Sequence, residues 1–136
     1  MKPKPLILLV DDDIDYLFQS RVKLEKAGYE VITAESQKEA EEIIARNKPA
    51  LAILDLMMEN EDSGFILSYK MKKKYPDVPI IIATAVAAET GITFDVSDEN
   101  NRKWIKADLF LEKGIRTDLF LSEIEKLLLK RAEPFT

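Results

Sequence analysis

The stretch LILLVDDDID, Leu6 to Asp15, decides how the chain is read. Five apolar residues run straight into three carboxylates, Asp11, Asp12 and Asp13. Like charges that close repel, so solvent, a helix N-terminus or a cation must hold them. A short, continuously apolar run suits a strand buried on both faces, and the acids then mark its carboxyl end.

Four further apolar runs follow: YEVITA (29–34), ALAIL (50–54), IIIA (80–83) and LFL (109–111). The segments between them carry helical spacing. Ile14, Leu17, Phe18 and Val22 predict one apolar face of a helix ending near Gly28. Ala40, Ile43 and Ile44 predict a second helix, with Ser36 as its N-cap and Pro49 closing the segment. Leu67 and Met71 anchor a third, stopped by Pro76 and Pro79. Phe120, Ile124, Leu127 and Leu128 predict a last helix capped by Thr117 or Asp118. Between Ala87 and Lys106 the pattern gives a loop and a short helix around Trp104. Alternation of strand and helix points to an α/β fold: a five-stranded parallel sheet, doubly wound with helices on both faces. For five strands the flavodoxin-like order 2-1-3-4-5 is expected, with the more alternating YEVITA at an edge.

At 136 residues and 46% apolar content, the chain fits a single domain with a genuine core, expected over about residues 5–131. A net charge of −5 argues against nucleic-acid binding, which needs clustered Lys and Arg. The densest basic run, YKMKKKYP, suits a helix C-terminus, where positive charge complements the macrodipole. The chain holds no cysteine and no histidine, which removes disulfides, thiol chemistry, the usual zinc ligands and the usual general base. The run Leu6–Val10 is too short for a signal peptide or a membrane span, so a cytoplasmic protein with no membrane contact is expected.

In doubly wound sheets, ligands sit beyond the carboxyl ends of the strands. Asp11, Asp12 and Asp13 follow the first run, Asp55 the third and Thr84 the fourth; Lys113 comes shortly after the fifth. Each has an ordinary structural explanation: an N-cap cluster, a strand terminator, a good strand residue, a solvated lysine. Their convergence on one rim does not. Carboxylates, a hydroxyl and an ammonium are the set required for phosphoryl transfer onto a carboxylate. Oxygen-only ligands suit Mg²⁺, which would also offset the repulsion among the acids. An ammonium and a hydroxyl can stabilise the charge that spreads over the transferring group.

With those residues in place, the motifs LLVDDD, LAILDLMM, PIIIATA and ADLFLEKG, in that order, make nearly the whole chain resemble the receiver domain of two-component response regulators. The resemblance implies that Asp55 is the phosphoacceptor and that Asp11, Asp12, Asp55 and the Met57 backbone carbonyl bind Mg²⁺. Thr84 and Lys113 would contact the phosphoryl group, and Phe110 would be the aromatic that turns inward with Thr84 during switching. The donor would be a phosphohistidine on a histidine kinase or phosphotransfer protein, and the output a downstream protein target. A free-standing receiver without an output domain is expected, as a monomer or weak homodimer.

The sequence also departs from the family pattern. Gly114 stands where a proline usually fixes the Lys113 loop, Glu59 replaces a common proline, and Gly64 comes one residue later than usual after Asp55. The span from Thr84 to Lys113 is longer than typical. A phosphorylation-independent protein-binding module on the same fold would need none of Asp12, Asp55, Thr84 or Lys113. A haloacid-dehalogenase-type phosphohydrolase would need an acid where Met57 stands. The four isolated glycines write neither a P-loop nor a dinucleotide fingerprint. Shortening the 89–101 segment is expected to leave Asp55 phosphorylation intact while altering partner binding. Parallel mass-spectrometric labelling and pull-down of the variant check this, and loss of labelling would refute it.

Overall fold

Successive side chains of a strand point to opposite faces, so a continuously apolar run needs cover on both. The computed structural model has that arrangement over the residues it describes, 4–56, 58, 60, 63–84 and 107–132. The elements are β1 (Leu6–Val10), α1 (Ile14–Lys26), β2 (Glu30–Ala34), α2 (Gln37–Arg46) and β3 (Leu51–Asp55). They continue with α3 (Ser63–Lys74), β4 (Ile80–Thr84), β5 (Leu109–Glu112) and α4 (Thr117–Ala132). The five strands form one parallel sheet in the order β2-β1-β3-β4-β5, as the sequence pattern predicts. The loop and short helix expected between Ala87 and Lys106, with Trp104, lie outside the described residues, as do Met57 and Glu59.

Alternation within each strand builds two cores. Leu8, Val10, Ala52, Leu54 and Ile80 face α2 and α3, meeting Ala40, Ile44, Leu67 and Met71. Ile7, Leu9, Leu51, Ile53 and Ile81 face the other way and meet Leu17 and Leu24 of α1 with Phe120 and Ile124 of α4. Burying a Leu or Ile side chain stabilises by about 1.5–3 kcal/mol, so the three central strands are the rigid part of the sheet.

Helix ends follow local chemistry. Ser36 Oγ accepts from the Glu39 N–H at 3.1 Å and caps α2, as expected. Gly28 stops α1 at φ 99°, a conformation that costs glycine nothing. Two expectations are corrected. The buried stripe of α1 is Leu17, Ser20 and Leu24, while Ile14 and Phe18 are 65% and 68% exposed. Counting apolar residues skipped Ser20 and rotated the face. At α4, Thr117 is already helical, and the Arg116 carbonyl accepts the first helical bond from the Phe120 N–H at 2.9 Å. Arg116 therefore occupies the cap position, with its guanidinium 2.7 Å from the Asp118 carboxylate.

The start of α3 rests on the end of β3. The Gly64 N–H donates to the Leu56 carbonyl at 2.8 Å. A Cβ at Gly64 would stand 2.5 Å from the Asp55 carbonyl oxygen and 2.7 Å from Leu56 Cα. Backbone cannot swing away as a side chain can. Gly64→Ala is expected to destabilise the fold by roughly 2 kcal/mol or more, measured by urea unfolding. A neutral result would show that α3 lifts off Asp55 without strain.

Candidate functional site

Parallel pairing sets Val10 beside Leu54, so the next residues, Asp11 and Asp55, emerge together from the tips of β1 and β3. Both are buried, at 1% and 7% exposure. The three acids after β1 divide the work. Asp13 caps α1, its Oδ1 accepting from the Asp15 N–H at 3.0 Å and the Tyr16 N–H at 3.2 Å. Its own N–H donates to Asp11 Oδ1 at 2.9 Å, which aims Asp11 into the rim. Asp12 stays exposed at the mouth. Asp11, Asp12 and Asp55 each offer a carboxylate oxygen within 4.8 Å of the others. A helix start and a shared pocket together account for the acidic run.

Lys113 reaches across from the end of β5. Its Nζ stands 2.7 Å from Asp11 Oδ2 and 3.1 Å from Asp55 Oδ1. Asp11 Oδ2 is buried and has no hydrogen-bond partner among the described residues, so the nearby ammonium offsets its charge without satisfying its geometry. Three carboxylates against one ammonium leave two negative charges, a deficit that a divalent cation would match. The ligands are hard oxygens, one of them open to solvent, as a partly hydrated ion needs. The residues fit such an ion.

Burial, followed by the neighbouring Asp11 charge, pushes the Asp55 carboxyl up to about 7, against the pull of Lys113. Asp11 is raised as well, chiefly by burial. Lys113 is raised because its carboxylate partners outweigh desolvation, so it stays charged. Thr84 is buried at the end of β4, and its carbonyl accepts from the Lys113 N–H at 3.2 Å, which fixes where the lysine leaves the sheet.

A family model for the response regulator receiver domain matches residues 7–125. The chain belongs to that family. Among curated relatives it is 32% identical over 131 residues to a probable transcriptional regulator, ycf27, of Cyanophora paradoxa, covering 96% of this chain and 51% of that protein. It is 42% identical over 86 residues to the transcriptional regulatory protein GlrR of Escherichia coli, covering 62% of this chain and 19% of that protein. The chain thus spans about half or less of these relatives. Among solved structures, a CheY-like receiver domain protein from Methanospirillum hungatei superposes with TM-score 0.79 at 25% identity, covering 95% of this chain and 97% of that one. The response regulator TrrA of Thermotoga maritima, in complex with Mg²⁺–BeF, superposes with TM-score 0.74 at 27% identity, covering 90% and 98%.

In this receiver, Asp11, Asp12, Asp55 and Lys113 meet at one point, with Thr84 at the tip of the intervening strand. Phe110 is half-buried in β5, its ring 6.3 Å from that of Phe65 and tilted by 60°. Sequence reasoning missed three contributors. Gly64 reads as a loop glycine until the contact with Asp55 is seen. Phe65 carries no signal that it meets Phe110. Tyr16 lies under Lys113, with Nζ 4.9 Å from its ring centroid; an aromatic in the first helical turn after the acids was the available clue. Among the described residues, no helix is long and apolar enough to cross a membrane.

A folded-state pKa raised above the ordinary 3.8 means that the folded protein binds a proton more tightly than the unfolded chain. Asp55 then contributes stability that is complete below about pH 4 and is lost as pH rises through about 7. In metal-free buffer, Asp55→Asn is expected to raise Tm relative to wild type by little at pH 4.5 and by roughly 5 °C or more at pH 8. Scanning calorimetry at both pH values checks this; a gap independent of pH would contradict it.

Proposed function

We propose that this receiver accepts a phosphoryl group on Asp55 from a phosphohistidine of a partner histidine kinase or phosphotransfer protein. The observation that carries the proposal is the convergence of Asp11, Asp12 and Asp55 within 4.8 Å, with the Lys113 ammonium between two of them. The chain has no histidine, so the donor imidazole comes from elsewhere.

The ionised Asp55 carboxylate attacks phosphorus, the phosphorus–nitrogen bond to the donor breaks, and the imidazole leaves with the electron pair. An acyl phosphate on Asp55 results. Mg²⁺, held by Asp11, Asp12, Asp55 and the Met57 carbonyl, would neutralise the acids and draw charge from the phosphoryl oxygens. The Lys113 ammonium, already 3.1 Å from Asp55 Oδ1, pairs with a phosphoryl oxygen on the other side. The buried Thr84 hydroxyl donates a further hydrogen bond once the group is attached. Burial keeps water from competing for these charges. Hydrolysis of the acyl phosphate at the same centre resets the domain, which acts as a signalling element rather than a turnover enzyme.

The signal is a population shift: the new anion favours the state in which Thr84 and Phe110 turn toward the pocket, and a downstream protein reads the altered surface beside β5. The half-buried ring of Phe110, 6.3 Å from that of Phe65, is the group that would turn. Mutual exclusion of charge supports a domain without nucleic-acid contacts of its own, given 25 acidic against 20 basic residues. We place the domain in the cytoplasm, as a monomer or weak homodimer.

Incubation with acetyl phosphate and Mg²⁺ is expected to add one phosphoryl group to the intact mass. The addition should vanish in Asp55→Ala and on chelation of the metal, and slow by roughly a hundredfold in Lys113→Ala. A wild-type chain that never gains the group, or an Asp55→Ala chain that still does, overturns the proposal.

A further inference from the structure

Lys113 is an unpromising carrier for a catalytic ammonium. Its side chain has four rotatable bonds and leaves the sheet at a turn that continues into Gly114. Among the described residues, nothing lies within 4 Å of where a Cβ on Gly114 would stand, so none of them braces that side of the turn. Among the described residues, the backbone is held by the Lys113 N–H to the Thr84 carbonyl at 3.2 Å and the Ile115 N–H to the Glu112 carbonyl at 3.1 Å. Neither restrains the far end of the side chain. Its two carboxylate partners attract it but would also let it pivot between them.

The face of Tyr16 supplies the missing wall. Its ring centroid is 4.9 Å from Lys113 Nζ, within cation–π range, and both side chains are partly shielded from water. The ring is itself well fixed. Its backbone N–H donates to Asp13 Oδ1 at 3.2 Å, and Asp13 in turn donates to Asp11 Oδ1 at 2.9 Å. One turn further along α1 lies the buried Ser20. The same Asp13 turn locates both a pocket carboxylate and the aromatic face.

We infer that Tyr16 is a positioning residue for phosphoryl transfer, its ring face holding the Lys113 ammonium at the height where it meets the phosphoryl oxygens. This rests on the phosphoacceptor role of Asp55 proposed above. The ring is the active feature, and the hydroxyl is not required. Removing the aromatic face leaves the charges of the pocket unchanged but lets Nζ wander, so the loss falls on the rate of transfer.

The test uses the full chain and its Tyr16→Leu and Tyr16→Phe variants, each checked for native far-UV circular dichroism. Labelling rates with acetyl phosphate and Mg²⁺ are read by intact mass. Tyr16→Leu is expected to slow labelling roughly five- to tenfold and Tyr16→Phe by less than about twofold. In a Lys113→Ala background, Tyr16→Leu should cause no further slowing. Equal losses in the Leu and Phe variants, or an undiminished loss without Lys113, overturn the inference. A second measurement needs no phosphorylation. The Lys113 ε-methylene protons should show an upfield ring-current shift that survives in Tyr16→Phe and disappears in Tyr16→Leu. Absence of that shift overturns the positioning role even where Asp55 is labelled normally. A normal shift in a chain that never labels overturns instead the phosphoacceptor reading on which the role depends.

Discussion

Two carboxylates at adjacent strand tips, Asp11 and Asp55, are kept out of water and within reach of one another, and the rest of the molecule is arranged around that strain. Removing an ionised carboxylate from solvent costs several kcal/mol, and a second like charge nearby adds to it. The sheet can hold the pair because β1 and β3 are adjacent interior strands, buried almost throughout and locked by apolar contacts on both faces. Lys113 offsets part of the repulsion. What remains is a rigid, electron-rich pocket, preorganised for a cation and for a group that carries its own negative charge.

Much of this was legible in the amino-acid order. LILLV, ALAIL and IIIA announce strands covered on both sides, and the alternating YEVITA announces an edge. Reading the residue after each strand found Asp11, Asp12, Asp55, Thr84 and Lys113 without any coordinates, because a parallel sheet sends every carboxyl end to the same rim. What that reading could not weigh was division of labour within DDD. One acid caps a helix, one is buried, one stays wet, and only the geometry of the turn tells them apart.

The misreadings share a cause. The apolar face assigned to α1 included Ile14 and Phe18, which are exposed, and omitted Ser20, which is buried. Hydrophobicity ranks residues by transfer from water, whereas Ser20 is buried by its place between Leu17 and Leu24 on the packed face of the helix. Gly64 stood out by its spacing from Asp55, but its contact did not, since close approach of two backbones leaves no mark on composition. The cap of α4 was placed one or two residues late because Thr117 and Asp118 are better capping types than Arg116, while the backbone turned before them.

The reach of Lys113 has a consequence for how the sheet comes apart. β5 is a four-residue edge strand, paired on one side to β4, and such strands are ordinarily the first to fray. Here the residue after it is moored by its ammonium to the centre of the sheet, past β4 and β3 as far as the tip of β1. Local opening of the outermost strand therefore drags a cation away from two anions buried in the innermost ones. The least protected ladder in the molecule borrows its endurance from the most protected, and the charge state of the rim sets how long that loan lasts.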